Sequence, residues 1–506
     1  MLSPMMQHYL ATKEENKDCI LFYRLGDFYE MFFEDAKTVS RELELVLTGK
    51  DCGLEERAPM CGVPYHSADG YINRLVEKGY KVAIAEQVED PKLAKGLVKR
   101  EVTRIVTPGT NISSEALDET KNHYLMTLFF EDDVFGMALT DVSTGAFFVG
   151  ELPGQEALAE AVSRFDPAEI LCNEAFFMSG AKDALLGREP LLTALEGGFF
   201  RESRAKALLQ KHFHVAHTEA LGLKDRPAGL MAAGGLLAYL EETQKNSLAH
   251  INQLSLYHPG AYMLLDAAAR RNLELTETLR DKERRGSLLW VLDKTGTAMG
   301  ARQLRSFIEQ PLLEKAKILA RLDALEELNQ AVIDREEIRE YLRPIYDLER
   351  LLGRLAFGHA NARDLVALGN SLEMVAPIKA VLALKDSELL REINGMLDPL
   401  EDITALLKAA IVEDPPLSVK EGGIIRPGYS PENDRLQRAS TEGKDWLLNL
   451  EREERDKSGI KNLRIKFNKV FGYYFEVTNS YKDQVPDYFI RRQTQVNEER
   501  YTTPQL

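Results

Sequence analysis

Residues 20–33, Ile20-Leu21-Phe22-Tyr23-Arg24-Leu25-Gly26-Asp27-Phe28-Tyr29-Glu30-Met31-Phe32-Phe33, hold two apolar runs separated by a two-residue turn signal. Ile20–Leu25 reads as a short strand, Gly26-Asp27 as the turn, and Phe28–Phe33 as a second, aromatic-rich strand. Glu34–Leu43 follows with helical spacing, Val82–Ala85 gives a further strand after Gly79, and Pro108-Gly109 closes the unit. Residues 1–112 are therefore expected to form a compact, mixed α/β domain.

Within the second run alternate side chains share a face, so Phe28 and Glu30 stand on one side and Tyr29 and Met31 on the other. An aromatic ring beside a carboxylate suits a wedge that enters a base-pair step, stacks on a base and accepts a hydrogen bond from its edge. A carboxylate near phosphates needs such a donor to be useful. The same pair also fits plain architecture, with Phe28 in the core and Glu30 in water, and both readings stay open at this point.

Working outward, residues 122–245 form a second α/β unit. Tyr124–Phe130 and Val134–Thr140 flank Glu131-Asp132-Asp133 as a hairpin, and Phe147–Val149 extends it. Helices are expected near Gln155–Arg164 and Gly229–Thr243, with an apolar stretch at Glu169–Cys172 between them. Residues 260–425 change character. Leu, Ala, Glu and Arg dominate, and Ala267–Leu279, Ala298–Glu309, Leu312–Asp334, Arg335–Tyr341 and Ala360–Leu382 read as helices, with Pro311, Pro344 and Pro377 at ends or kinks. Gly422-Gly423 and Pro427-Gly428 break that pattern. In residues 426–506 a charged helix over Pro431–Asp456, with an apolar stripe at Trp446, Leu447 and Leu450, precedes a pair of strands over 463–478.

The chain has 506 residues, enough for about three or four domains, and its 44% hydrophobic and 28% charged content is that of a folded protein. The 64 basic and 80 acidic residues give a net charge of −16, which excludes a chain basic throughout but not a local basic patch. Cys19, Cys52, Cys61 and Cys172 form no CxxC and match neither a disulfide framework nor a zinc site, so a reduced, cytoplasmic setting is expected. No basic leader with an apolar segment opens the chain, and no run of 18 apolar residues occurs, so no membrane association is expected. The last residues, Glu498 to Leu506, follow directly on dense charged and aromatic sequence, the pattern of a cut chain.

Catalytic signatures are missing from the sequence. Gly49-Lys50 and Gly443-Lys444 lack the upstream glycine and following hydroxyl of a GxxxxGK[ST] loop, and there is no GxGxxG, HExxH or GxSxG. His212 and His214 form an HxH without ligand-like partners. The basic signal is local. From Ser458 to Phe475 lie Lys461, Arg464, Lys466 and Lys469 and no acidic residue, with Asn468, Tyr473 and Tyr474 among them. A strand face carrying Arg464, Lys466 and Asn468 can contact phosphates, or it can be an ordinary solvated face. Arg491 and Arg492, followed by Gln493 and Thr494, form a second basic cluster.

Taken together, several stretches resemble the MutS family of DNA mismatch-repair proteins, over essentially the whole chain. They are Gly26-Asp27-Phe28-Tyr29-Glu30 with Phe32-Phe33-Glu34-Asp35-Ala36, Gly62-Val63-Pro64-Tyr65-His66, Ala83-Ile84-Ala85-Glu86-Gln87 and Val106-Thr107-Pro108-Gly109-Thr110. Leu273-Glu274-Leu275, Phe467-Asn468 with Gly472-Tyr473-Tyr474, and Arg491-Arg492-Gln493-Thr494 leading to Glu499-Arg500-Tyr501 continue the series in family order.

The resemblance implies a mixed α/β mismatch-binding domain (1–112), a ribonuclease-H-like connector (122–245), a helical core and lever domain (260–425), and a lever end with an inserted β-containing clamp (426–506). A returning lever and a C-terminal ATPase domain are expected beyond Leu506, and with them the family's ATP, Mg²⁺ and homodimer sites. This chain by itself is expected to hold no cofactor or metal and to hydrolyse no ATP. By resemblance, Phe28 wedges from the minor groove onto the mispaired base and Glu30 hydrogen-bonds it. Arg464, Lys466, Asn468, Lys469, Arg491 and Arg492 become backbone-contact candidates, with Tyr65 and His66 near the mismatch domain. The implied partners are mismatched double-stranded DNA and a MutL-type repair factor. Two alternatives are a MutS-like protein that binds branched DNA, which Phe28 and Glu30 disfavour, and a structural scaffold, which the basic Lys461–Lys469 stretch disfavours. A nuclease connector would need several carboxylates about two metal ions, and Asp141 stands without convincing company.

Overall fold

The structure, a computed structural model, describes residues 2–53, 56–89, 98–113, 115–185, 191–468, 472–495 and 497–506. It divides into two compact units, Met1–Thr404 and Ala405–Leu506.

The first unit opens with a six-stranded sheet of β1 (Cys19–Leu25), β2 (Phe28–Phe32), β3 (Thr48–Lys50), β4 (Ala58–Pro64), β5 (Lys81–Gln87) and β6 (Arg100–Val106), in the order β3-β4-β2-β1-β5-β6. β1 is apolar at nearly every position because it is central and covered on both faces. The helices Phe33–Leu43 and Ala68–Glu77 close one face over Phe22, Tyr29 and Met31, while the helix Pro4–Glu15 closes the other over Leu21, Tyr23 and Phe32. The expected β1–β2 hairpin is present, with Leu25 opposite Phe28. Gly26 carries φ +60° in its two-residue turn, the sign that a type II′ connection needs at its first central position.

A second six-stranded sheet contains β7 (Leu125–Glu131), β8 (Val134–Asp141), β9 (Ala146–Leu152), β10 (Glu169–Cys172), β11 (Leu191–Ala194) and β12 (Ser255–Leu256), in the order β11-β10-β7-β8-β9-β12. β7, β8 and β9 form an antiparallel meander, whereas β10 runs parallel to β7 and β11 parallel to β10. Asp132 and Asp133, both at positive φ, make the tight turn that the sequence placed there. The helix Pro227–Gln244 lies so close on β8 that a Cβ at Gly136 would stand 2.0 Å from the Ala228 carbonyl oxygen.

Helices follow from Ala267 onward, and their ends differ from the sequence expectation at three places. Ala267–Asn272 stops where Glu274 turns left-handed (φ +48°), instead of continuing to Leu279, and the Glu274 carboxylate caps the Leu279 N–H at 2.7 Å. Lys315–Gln330 and Val332–Leu342 meet at Ala331, which ends one helix and begins the next, so the break precedes Asp334. The Ala360–Leu382 segment is two helices, Ala362–Glu373 and Val375–Leu382, separated at Met374. Pro377 stands in the first turn of the second, where a missing N–H costs least. Ala362–Leu382 is also the one stretch among the described residues long and apolar enough to cross a membrane. Leu368, Leu372, Ile378 and Leu382 are buried in the fold.

Charged side chains tie these helices to the chain ahead of them. Arg302 holds Asp347 through two bonds of 2.6 and 2.8 Å, Glu349 at 2.6 Å and the Glu119 carbonyl at 2.9 Å. Arg350 donates to the carbonyls of Asp118 and Lys121. Burial alone would raise the Asp347 carboxyl, but its bonds to Arg302 and the charge of that guanidinium outweigh burial and hold it below the usual range.

The second unit contains the helix Pro431–Ser458 and a four-stranded antiparallel sheet of β13 (Arg464–Asn468), β14 (Gly472–Thr478), β15 (Ile490–Thr494) and β16 (Glu498–Thr502), in the order β13-β14-β16-β15. Gly422-Gly423 falls inside this unit, within the segment that the bridge between Ile411 and Ile425 closes. Leu450 joins Leu463, Phe475, Val477 and Tyr501 in its core. Trp446 does not join them and is about half exposed at 49%, so the apolar stripe is narrower than its sequence indicates.

Candidate nucleic-acid interface

Register decides what β2 presents. Phe28, Glu30 and Phe32 share the sheet face on which the helix Pro4–Glu15 lies, but their exposure falls steeply along the strand. Phe32 is 1% exposed, the Glu30 side chain 15% and Phe28 47%. Tyr9 covers the Phe32 end, packing edge-on at 4.9 Å between ring centroids. The face is left open at the hairpin end. Phe28 is thus a large apolar ring standing in solvent at a strand terminus, and the core reading of this residue fails. The core demand of the strand is met instead by Tyr29 and Met31 on the opposite face.

Glu30 is held from across the sheet. Its Oε2 accepts from Lys50 Nζ at 2.5 Å, and the same ammonium lies 5.6 Å from the centre of the Phe32 ring. Gly62 on β4 pairs directly with Glu30 and sends no side chain into the space beside it.

The neighbouring loop is organised by Arg24. Its guanidinium stacks on the Tyr65 ring at 3.7 Å, and its Nη1 reaches Glu86 at 3.5 Å. Glu86 also accepts from the Tyr29 hydroxyl. Burial first, and that carboxylate second, push the Tyr29 phenol upward. The Tyr65 N–H bonds the Asp27 carbonyl at 3.0 Å, so the loop that begins at Pro64 is fastened to the β1–β2 turn beside Phe28. His66 is exposed next to it. Phe28, Tyr65 and His66 are therefore brought to one end of the sheet, with Tyr65 engaged by Arg24.

In the second unit, considered alone, Arg464 and Lys466 are exposed on the strand face away from the core, and Asn468 is half-buried at the end of β13. Their company differs from the sequence picture. Lys466 is paired at 2.7 Å with Glu476, one strand over, and this bond raises the ammonium pKa. Arg464 has no ion pair among the described residues. Lys469 lies outside the described residues. Arg491 leans toward Glu499 at 3.5 Å, on the core side of its sheet, whereas Arg492 is the extra residue of a bulge between Arg491 and Gln493 and is exposed. Phe467 and Tyr473, 61% and 47% exposed, meet edge-on at 5.1 Å where β13 ends and β14 begins.

The other chemical candidates resolve into architecture. Asp141 is fully buried and accepts from the His123 and Ser143 N–H groups, the Asn122 amide and the Ser143 hydroxyl. His212 bonds the Ile251 carbonyl at 2.7 Å. Among the described residues no three His, Cys, Asp or Glu side chains gather as a metal site. All four cysteines are buried and unpaired. Lys50, Arg24 and Glu476 were missed as site residues because strand pairing, not sequence proximity, brings each to its partner. Lys50 stands 20 positions from Glu30.

Comparison with known proteins gives three matches in order along the chain. Family models described as MutS domain I, MutS domain II and MutS domain III match residues 3–115, 123–252 and 268–484. The chain is 55% identical over its whole length to the DNA mismatch repair protein MutS of Lachnoclostridium phytofermentans, covering 54% of that protein. It is 51% identical to that of Acetivibrio thermocellus and 49% to that of Ruminiclostridium cellulolyticum, again over its whole length and over 58% of each. It thus spans a little over half the length of these relatives. Three successive domain matches, and this identity from end to end, place it: the chain belongs to the MutS family.

Proposed function

We propose that this chain recognises mismatched or looped duplex DNA, with Phe28 wedging into the helix from the minor groove and Glu30 accepting a hydrogen bond from the displaced base. The observation that carries this reading is the exposed Phe28 ring on the same open sheet face as a carboxylate held by a single lysine. A mispaired step costs less to unstack and kink than a paired one, so a wedge discriminates by deformation without reading sequence. Tyr65 and His66 border the wedge and serve as backbone contacts there.

The strand order β9-β8-β7-β10-β11, with three antiparallel strands followed by two parallel ones, supports a ribonuclease-H-like connector between residues 122 and 245. Asp141 is committed to hydrogen bonds inside it, and no nuclease role is proposed. Residues 260–425 are read as core and lever, and residues 426–506 as lever end and clamp, with Arg464, Lys466, Asn468, Lys469, Arg491 and Arg492 as phosphate contacts.

The whole protein, in this reading, is a cytoplasmic, DNA-associated homodimer that uses ATP and Mg²⁺ and hands on to a MutL-type factor. The residues present do not fit that nucleotide. The sequence has no GxxxxGK[ST] loop, the matches are to domains I–III, and no step here runs through ATP.

A competition measurement tests the reading. At fixed salt, a G·T-mismatched duplex should displace the chain from a labelled probe at lower concentration than its matched control. Equal, salt-sensitive competition by both duplexes would contradict mismatch recognition. The clamp makes a separate prediction. Lys466→Met removes one of these contacts, so duplex affinity should fall and the log–log salt slope should flatten by about 0.9, the value for one lost phosphate contact. An unchanged slope would remove Lys466 from the contact set.

A further inference from the structure

Lys50 has no part in the mechanism above, yet it is the single partner of Glu30 among the described residues. We propose that Lys50 is a positioning residue for mismatch recognition: it caps one oxygen of the Glu30 carboxylate, so that the pair meets the duplex without net charge while the other oxygen is left for the base-edge donor. The inference rests on the mismatch reading and adds a residue to it.

Three observations lead there. Duplex DNA presents one phosphate charge per roughly 1.7 Å of axis, so a bare carboxylate beside Phe28 would be repelled from every duplex, matched or not. Lys50 Nζ sits 2.5 Å from Oε2, and Oε1 has no hydrogen bond among the described residues. A carboxylate bound at one oxygen and open at the other is oriented for a single donor. The space is also kept clear. β4 lies between β2 and β3, and the β4 residue directly across from Glu30 is Gly62. A Cβ there would already stand 3.5 Å from the Glu30 Cγ and 3.1 Å from the Tyr29 carbonyl oxygen, so any larger side chain would intrude beside the pair.

The test is a double-substitution cycle on the full chain, read by anisotropy of a labelled G·T duplex and of its matched control at one salt concentration. It compares the unsubstituted chain with K50M, E30Q and K50M/E30Q, with F28A alongside. K50M is expected to weaken binding about tenfold when Glu30 is present and by no more than about threefold in the E30Q background, the non-additivity of groups in direct contact. K50R should retain most of the affinity. Thermal melting of each variant confirms that the loss is one of binding and not of folding. Equal losses from K50M in both backgrounds would make Lys50 an independent phosphate contact and overturn the proposal, as would no loss in either. If F28A keeps full mismatch preference, the underlying mismatch reading fails instead, whatever the cycle shows.

Discussion

Phe28→Ala is expected to abolish most of the preference for a G·T duplex over its matched control while leaving the fold intact. Stacking of a base on an aromatic ring is worth about 1–3 kcal/mol by alanine substitution, which corresponds to roughly 5- to 150-fold in affinity for the mismatched duplex. Matched-duplex binding and its salt slope should change little, because phosphate contacts supply that term. The exposure of Phe28 gives the prediction its second half. A side chain 47% exposed at a strand end contributes little to the core, so the melting transition should shift by no more than about 0.5 kcal/mol equivalent. A buried phenylalanine would cost about 3–5 kcal/mol on the same truncation. A large stability loss with unchanged discrimination would return Phe28 to a structural role.

Arg302→Ala carries the largest expected effect on stability. The guanidinium, 4% exposed, joins Asp347, Glu349 and the Glu119 carbonyl. Its removal leaves Asp347, 17% exposed, without its main counter-charge. Breaking such a buried pair by deleting one partner costs about 3 kcal/mol. The sign with pH follows from Asp347, whose folded pKa is depressed. A depressed carboxylate contributes stability that is present above its unfolded value, about 4, and is lost as pH falls through the folded value. The gap between R302A and the unsubstituted chain should therefore be widest near neutrality and narrow in acid. Denaturant midpoints at several pH values measure it, and faster proteolysis near Asp118–Lys121 should accompany it. An unchanged midpoint at pH 7 would show that the Arg302 cluster holds nothing together.

How far the sequence could be read depended on the range of the interactions involved. The β1–β2 hairpin and the β7–β8 hairpin were legible because Gly26-Asp27 and Asp132-Asp133 carry the turn chemistry locally. Strands β3, β4, β6, β15 and β16 were not picked out, since short or mixed runs such as Thr48–Lys50 and Arg100–Val106 depend on their neighbours for pairing. Helix ends failed where a single backbone conformation decided them, as at Glu274 and Ala331. At the site, Phe28 and Glu30 were visible by period two, and their common face is what the structure has. Their exposure was not visible, because it depends on how far the helix Pro4–Glu15 reaches along the sheet. The stretch over 458–475 looked unopposed in sequence, but Glu476 lies just past its end, stands opposite Arg464 in the β13–β14 pairing and reaches Lys466 diagonally. Lys50 was read only as part of a failed phosphate loop, and its partnership with Glu30 arises from a sheet edge 20 residues away.

The central claim is that Phe28 sits at the defect, and a cross-link tests it most directly. A chain with Phe28→p-benzoylphenylalanine, irradiated on a duplex bearing one G·T pair at a known position, should join predominantly to the mispaired step or its immediate neighbour. The adduct should move when the mismatch is moved along the same duplex. Cross-links spread evenly along the DNA, or unchanged in position when the mismatch moves, would contradict the account.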